Sequence, residues 1–69
     1  MSETQTIIQS LKKANDETAN KCAFFLEKIQ DIKEPSSVAK TTILVKLAKK
    51  ALGSGDWKEL KKYLNPLNV

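Results

Sequence analysis

The apolar positions of residues 3–33 repeat with a heptad period. The two rows of the heptad contain Ile8, Asn15, Cys22 and Ile29, and Leu11, Thr18, Phe25 and Ile32. This spacing is typical of a long amphipathic helix with a coiled-coil-like seam. Ser2 and Gln5 have the spacing of a capping box that would start this helix. We therefore predict one continuous helix over residues 3–33, about 45 Å long at 1.5 Å per residue.

The middle of this seam is polar, because Asn15 and Thr18 occupy it. A buried polar pair lowers stability but can determine the register or the oligomeric state of a helical assembly. The alternative is that this stretch faces water beyond the reach of the other helices. The pattern leaves both interpretations open.

A second helix is predicted over residues 37–52, with Ser36 or Ser37 as its N-cap and Gly53 as its stop. More than half of its circumference is apolar at 100° per residue. The apolar residues are Ile43, Leu44, Val45, Leu47, Ala48, Ala51 and Leu52. A helix this apolar is expected to contact more than one neighbour, so we place it at the centre of the domain.

A third helix is predicted over residues 55–64, capped by Ser54 and stopped by Pro66. Trp57, Leu60 and Leu64 form its apolar face, with Tyr63 at the edge. So short a helix is not stable alone in water and must pack on the others. The chain is therefore predicted to be one all-α domain of three helices over residues 1–69. The excess length of the first helix predicts self-association.

Composition argues against catalysis, because the chain has no histidine and its only cysteine is Cys22. A disulfide within the chain is excluded, and neither a zinc site nor a nucleophile with a neutral base can be assembled. Cys22 lies on the seam and is interpreted as a small core residue. We expect no enzymatic activity and no metal or cofactor. The sequence contains neither a secretory signal nor an apolar run that could cross a membrane, so we expect a cytoplasmic protein with no membrane partner.

Phe24 is the candidate contact residue for a protein partner. Its neighbours one helical turn away are polar: Asn20, Lys21, Glu27 and Lys28. An aromatic ring on a polar face is typical of an interaction hot spot, so Phe24, Lys21 and Lys28 are the candidate partner-binding residues. The alternative is that the third helix folds over Phe24 and makes it part of the core.

The positive charge is concentrated in the second half of the chain. Residues 35–69 contain seven lysines and two acidic residues, whereas residues 1–34 contain five lysines and six acidic residues. The candidate polyanion-binding residues are Lys46, Lys49, Lys50, Lys58, Lys61 and Lys62. The alternative is a solvated helix surface, on which lysine is common. There is no arginine, so the chain lacks the side chain that most often recognises bases in a sequence-specific way.

These patterns predict a small non-enzymatic protein–protein interaction module: an adaptor, regulator or inhibitor that binds another protein and itself. The alternative is a nucleic-acid-binding protein without sequence specificity that uses the lysine-rich half.

Overall fold

A computed structural model describes residues 3–67 of the chain and confirms the all-α class. The helices in this range are α1 (Glu3–Lys13), α2 (Glu17–Ile29), α3 (Pro35–Ser54), α4 (Lys58–Leu64) and a short 3₁₀ turn (Asn65–Leu67). The predicted three-helix layout is therefore wrong, since four α-helices are present in the described part. Ser2, and with it the predicted capping box, lies outside the described residues.

The predicted continuous helix is interrupted at Asn15, whose φ of 54° places it in the left-handed region. Asparagine tolerates this conformation better than other non-glycine residues, which is why it is found where helices end. Asp16 then begins α2 as its N-cap. Its carboxylate Oδ1 accepts hydrogen bonds from the backbone N–H groups of Thr18, at 2.8 Å, and Ala19, at 3.2 Å. The Asn-Asp pair thus ends one helix and starts the next.

The dimensions of the domain are consistent with this break. The longest principal extent is 30 Å, whereas an unbroken helix over residues 3–33 would measure about 45 Å. In the folded chain α1 and α2 pack against each other, and both pack on α3. The length mismatch that predicted self-association is therefore removed by folding within one chain.

The heptad seam is only partly buried. Ile8, Leu11, Cys22 and Ile29 lie in the core, as predicted. Asn15 is exposed in the turn, and Ile32, beyond the end of α2, is 42% exposed. The two halves of the seam therefore lie on α1 and α2 and share one core. Of its two polar positions, Asn15 is exposed and Thr18 is half-buried.

The predicted bounds of the second helix are two residues too short at each end. The helix α3 starts at Pro35, which occupies the first turn, where its missing N–H costs nothing. Glu34 is the N-cap and makes no side-chain capping bond, so the predicted serine cap is wrong. Gly55, not Gly53, ends the helix with a φ of 77°, and its N–H donates to the carbonyl of Ala51.

The predicted third helix corresponds to α4, which begins later, at Lys58. Ser54 belongs to α3, and its hydroxyl donates to the carbonyl of Lys50. The side-chain acceptor at the start of α4 is Asp56 instead, whose Oδ1 accepts a hydrogen bond from the Lys58 N–H at 3.0 Å. The chain continues past Leu64 into the 3₁₀ turn that contains Pro66.

The core lies between all four helices. Its fully buried larger side chains are Ile8, Leu11, Cys22, Leu26, Leu44 and Leu60. The helix α3 contacts α1, α2 and α4, which confirms that it touches more than one neighbour. Its apolar surface is not all covered, however, because Val38 and Ile43 are 51% and 41% exposed. Within residues 3–67 no helix combines the length and the apolar character needed to cross a membrane.

Candidate functional site

Phe24 lies on the side of α2 that faces away from the core. The buried residues of α2 are Ala19, Cys22, Ala23, Leu26 and Ile29. At 100° per residue Phe24 is about 160° from the middle of this buried face. Its exposed fraction is 56%, the largest of the large hydrophobic residues in the described chain. The alternative in which the last helix covers Phe24 is therefore wrong, since Leu60 of α4 is buried in the core instead.

The Phe24 ring is accompanied by the two lysines predicted to lie beside it. The ammonium of Lys28 is 4.5 Å from the ring centroid, a cation–π contact worth about 0.5–1 kcal/mol at an exposed site. Lys21, one turn before, forms an ion pair with Glu17 at 3.5 Å. We call Phe24, Lys21 and Lys28 the Phe24 face. It combines one large apolar surface with two cations on a single rigid helix.

The six candidate polyanion-binding lysines do not line one common groove. Lys46 and Lys49 line a groove between α1 and α3, Lys61 lines one between α2 and α4, and Lys62 lines one between α3 and α4. Two lysines are neutralised locally. Lys49 pairs with Glu3, and Lys50 pairs with Glu59 at 3.4 Å. The remaining candidate, Lys58, is exposed at the start of α4.

Cys22 is fully buried, which confirms that it is a small core residue. Burial raises the pKa of its thiol from 9.0 to about 12, because the charged thiolate would lose its hydration in the core. The thiol is therefore protonated and shielded near neutral pH. Both properties oppose reaction as a nucleophile.

Two of these grooves are larger than the lysine pattern alone indicated. The groove between α1 and α3 has a volume of about 410 Å³ and is lined mainly by threonines and lysines with Glu3. The groove between α3 and α4 has a volume of about 360 Å³. It is lined by Leu47, Glu59, Lys62, Tyr63 and Pro66. We call it the α3–α4 groove. The sequence pattern gave Leu47 only as one of the apolar positions of its helix and treated Pro66 only as a helix stop, so this surface was missed.

Among residues 3–67 no group of three or more His, Cys, Asp or Glu side chains is arranged to hold a metal ion. Comparison of the chain with protein-family models, with curated proteins and with solved structures found no significant match. Its function is therefore inferred from its own surfaces.

Proposed function

We propose that this chain is a small non-enzymatic protein–protein interaction module that binds a partner through the Phe24 face. The observation that carries the proposal is the 56% exposure of Phe24 on the outward side of α2. Among residues 3–67 of the monomer, the exposed part of the ring has only the cation–π contact with Lys28, whereas a partner with an apolar pocket would bury it. Adaptor, regulator and inhibitor are the roles that a domain of this size and kind can serve.

The exposed part of Phe24 sets the scale of the expected effect. Burying the remaining 56% of this residue is worth about 0.8–1.7 kcal/mol, taken from the burial energy of a whole large apolar side chain. Removing the ring should therefore weaken partner binding about four- to seventeen-fold. Lys28 would add attraction to a carboxylate at the edge of the partner's pocket, and Lys21 would do so on exchanging its ion pair with Glu17.

Site-specific photo-crosslinking tests the proposal. Benzoylphenylalanine replaces Phe24 in the cell that expresses the chain, and Val38, which is 51% exposed on α3, carries it in the control. We expect a defined adduct from position 24 alone. The purified partner should then bind the Phe24→Ala variant more weakly than the wild type, with Val38→Ala unchanged. Equal adducts from both positions, or equal affinities for all three proteins, would reject the proposal.

The same variant must keep its fold for this experiment to be informative. Because Phe24 is 56% exposed and its ring contacts Lys28, Phe24→Ala should lower the free energy of unfolding by no more than about 0.5–1 kcal/mol. Leu26→Ala is the contrast, since Leu26 is fully buried and its truncation should cost about 2–5 kcal/mol. If the two variants are destabilised alike, Phe24 is part of the core.

Self-association stays a prediction. Its original reason, an unmatched long helix, is removed by the turn at Asn15, and the Phe24 face is the remaining candidate contact between two copies. Light scattering during gel filtration at low and high salt measures the solution mass. A dimer that dissociates in the Phe24→Ala variant supports self-association through this face, and a wild-type monomer at both salts rejects it.

A further inference from the structure

An apolar strip runs along the α3–α4 groove. Its apolar lining residues are Leu47 of α3, Tyr63 of α4 and Pro66 of the 3₁₀ turn. Ile43 lies one turn before Leu47 on the same side of α3 and is 41% exposed. Leu47, Tyr63 and Pro66 line the groove, and Ile43 extends this apolar surface by one turn of α3. We call these four residues the α3–α4 strip.

The rim of this strip is positively charged. Lys40 and Lys46 lie three residues on either side of Ile43, so they are its neighbours on the helix. Lys46 also lines the groove between α1 and α3, so it lies between the two grooves. Lys62 lines the groove from α4, and among residues 3–67 no carboxylate lies within ion-pair distance of it.

Two acidic residues lie at or near the strip, and Glu59 itself lines the groove, but both already have partners. The carboxylate of Glu59 forms an ion pair with Lys50 at 3.4 Å. Asp56 uses its Oδ1 to accept the backbone N–H of Lys58 at 3.0 Å. The strip therefore presents an apolar floor with unpaired lysines at its edges, which is the complement of an apolar surface edged by carboxylates.

We propose that the α3–α4 strip binds an acidic amphipathic helix of a protein partner. Such a helix places apolar side chains spaced by three and four residues into the groove, in the way that helices dock on other domains. Its flanking glutamates and aspartates then face Lys40, Lys46 and Lys62. This surface lies on other helices than the Phe24 face and does not depend on it.

A nucleic acid fits this surface less well than a helix does. Phosphates would meet the lysines, but the apolar floor of the groove would gain no burial from a sugar–phosphate backbone. Stacking on Tyr63 would engage one residue of the strip and leave Ile43 and Leu47 uncovered. The exposed Ile43 therefore distinguishes the two classes of partner.

The test uses a fluorescein-labelled helical peptide of about four turns, with leucine at i, i+3, i+4 and i+7 and glutamate on its flanks. Two further probes are the same peptide with lysine in place of glutamate, and oligothymidylate. The protein is titrated against each probe at low salt and fluorescence anisotropy is measured. We expect the glutamate peptide to bind and the lysine peptide not to bind.

Two variants locate the binding site, and circular dichroism checks their folding. In Ile43→Ser the peptide can no longer bury the 41% of Ile43 that is exposed. The affinity for the glutamate peptide should therefore fall about three- to eightfold. Lys62→Glu reverses a rim charge and should weaken it about fivefold at low salt. The matched controls are Val38→Ser, which changes an exposed residue about 140° away around α3, and Lys61→Glu, which changes the groove between α2 and α4. Both controls should stay within about twofold of the wild type.

Three outcomes would overturn the proposal. One is the absence of glutamate-peptide binding, or equal binding of the lysine peptide. The second is an affinity that Ile43→Ser and Lys62→Glu leave unchanged, which would place the peptide elsewhere. The third is tight binding of oligothymidylate that Lys62→Glu weakens and Ile43→Ser does not, which would identify a polyanion site instead.

Discussion

Replacing Asp16 by alanine tests the turn that separates α1 from α2. The Asp16 carboxylate accepts two backbone N–H groups, from Thr18 at 2.8 Å and from Ala19 at 3.2 Å. Both donors belong to the first turn of α2 and have no partner within that helix. Loss of an aspartate N-cap costs about 0.5–2 kcal/mol, typically about 1 kcal/mol. A domain of this length has a free energy of unfolding of only about 3–10 kcal/mol, so this loss is readily measured.

The assay is urea and thermal unfolding followed by circular dichroism. A loss of about 1 kcal/mol should lower the Tm by about 4–8 °C in a domain of this size. Asp16→Asn should retain most of the stability, because its side-chain carbonyl still accepts the capping bonds. A continuous helix through residue 16 predicts the opposite sign. Alanine would then be the better helix former and would stabilise the protein by about 0.6 kcal/mol.

Asp31→Ala is the matched control, since it removes the same charge from an exposed turn after α2. Among residues 3–67 the Asp31 carboxylate makes no hydrogen bond or ion pair, so the urea midpoint of Asp31→Ala should remain near the wild-type value. A midpoint for Asp16→Ala that equals or exceeds that of Asp31→Ala would refute the capped turn. It would favour one unbroken N-terminal helix.

Two further predictions concern the cysteine and the lysines. Since burial raises the pKa of Cys22 from 9.0 to about 12, the unfolded chain loses this proton first and stability falls as pH rises between these values. Between neutral pH and about pH 10, the free energy of unfolding should fall by about 1.4 kcal/mol more in the wild type than in Cys22→Ala. Parallel pH profiles of the two proteins would contradict the burial of the thiol. If the lysine-rich half binds nucleic acid, Lys46, Lys50 and Lys62 should contribute to its salt dependence. Replacing the three by glutamine should reduce the slope of log K against log salt concentration for duplex DNA by about 0.9 per lost phosphate contact. An unchanged slope would reject that alternative function.

The faces of the individual helices could be predicted from periodicity. The spacing placed Cys22 on the inward side of its helix and Phe24 away from it, and both positions are observed. These predictions hold because 100° per residue applies within any helix, whatever that helix packs against. The all-α class followed in the same way, since apolar residues recur at helical spacing throughout the chain.

The turn at Asn15 was not visible in the periodicity, because α1 and α2 both direct their apolar residues toward a shared core. Ile8 and Leu11 before the turn and Cys22 and Ile29 after it are buried together, and a single helix with the same residues would show the same pattern. Local chemistry carried the missing signal. Asn15 tolerates a positive φ after the end of α1, and Asp16 is a favoured N-cap residue for α2.

Which apolar residues stay exposed was decided by tertiary packing. The sequence by itself determined that α3 is apolar over more than half of its circumference, but the three shorter helices packed on it leave part of that surface uncovered. Leu44 and Ala48 face the other helices and are buried, whereas Val38 and Ile43 lie at the edges of that contact and stay in water. The α3–α4 strip exists for this reason. Whether an apolar residue of α3 is exposed depends on where the neighbouring helices end. The sequence of α3 alone does not specify those positions.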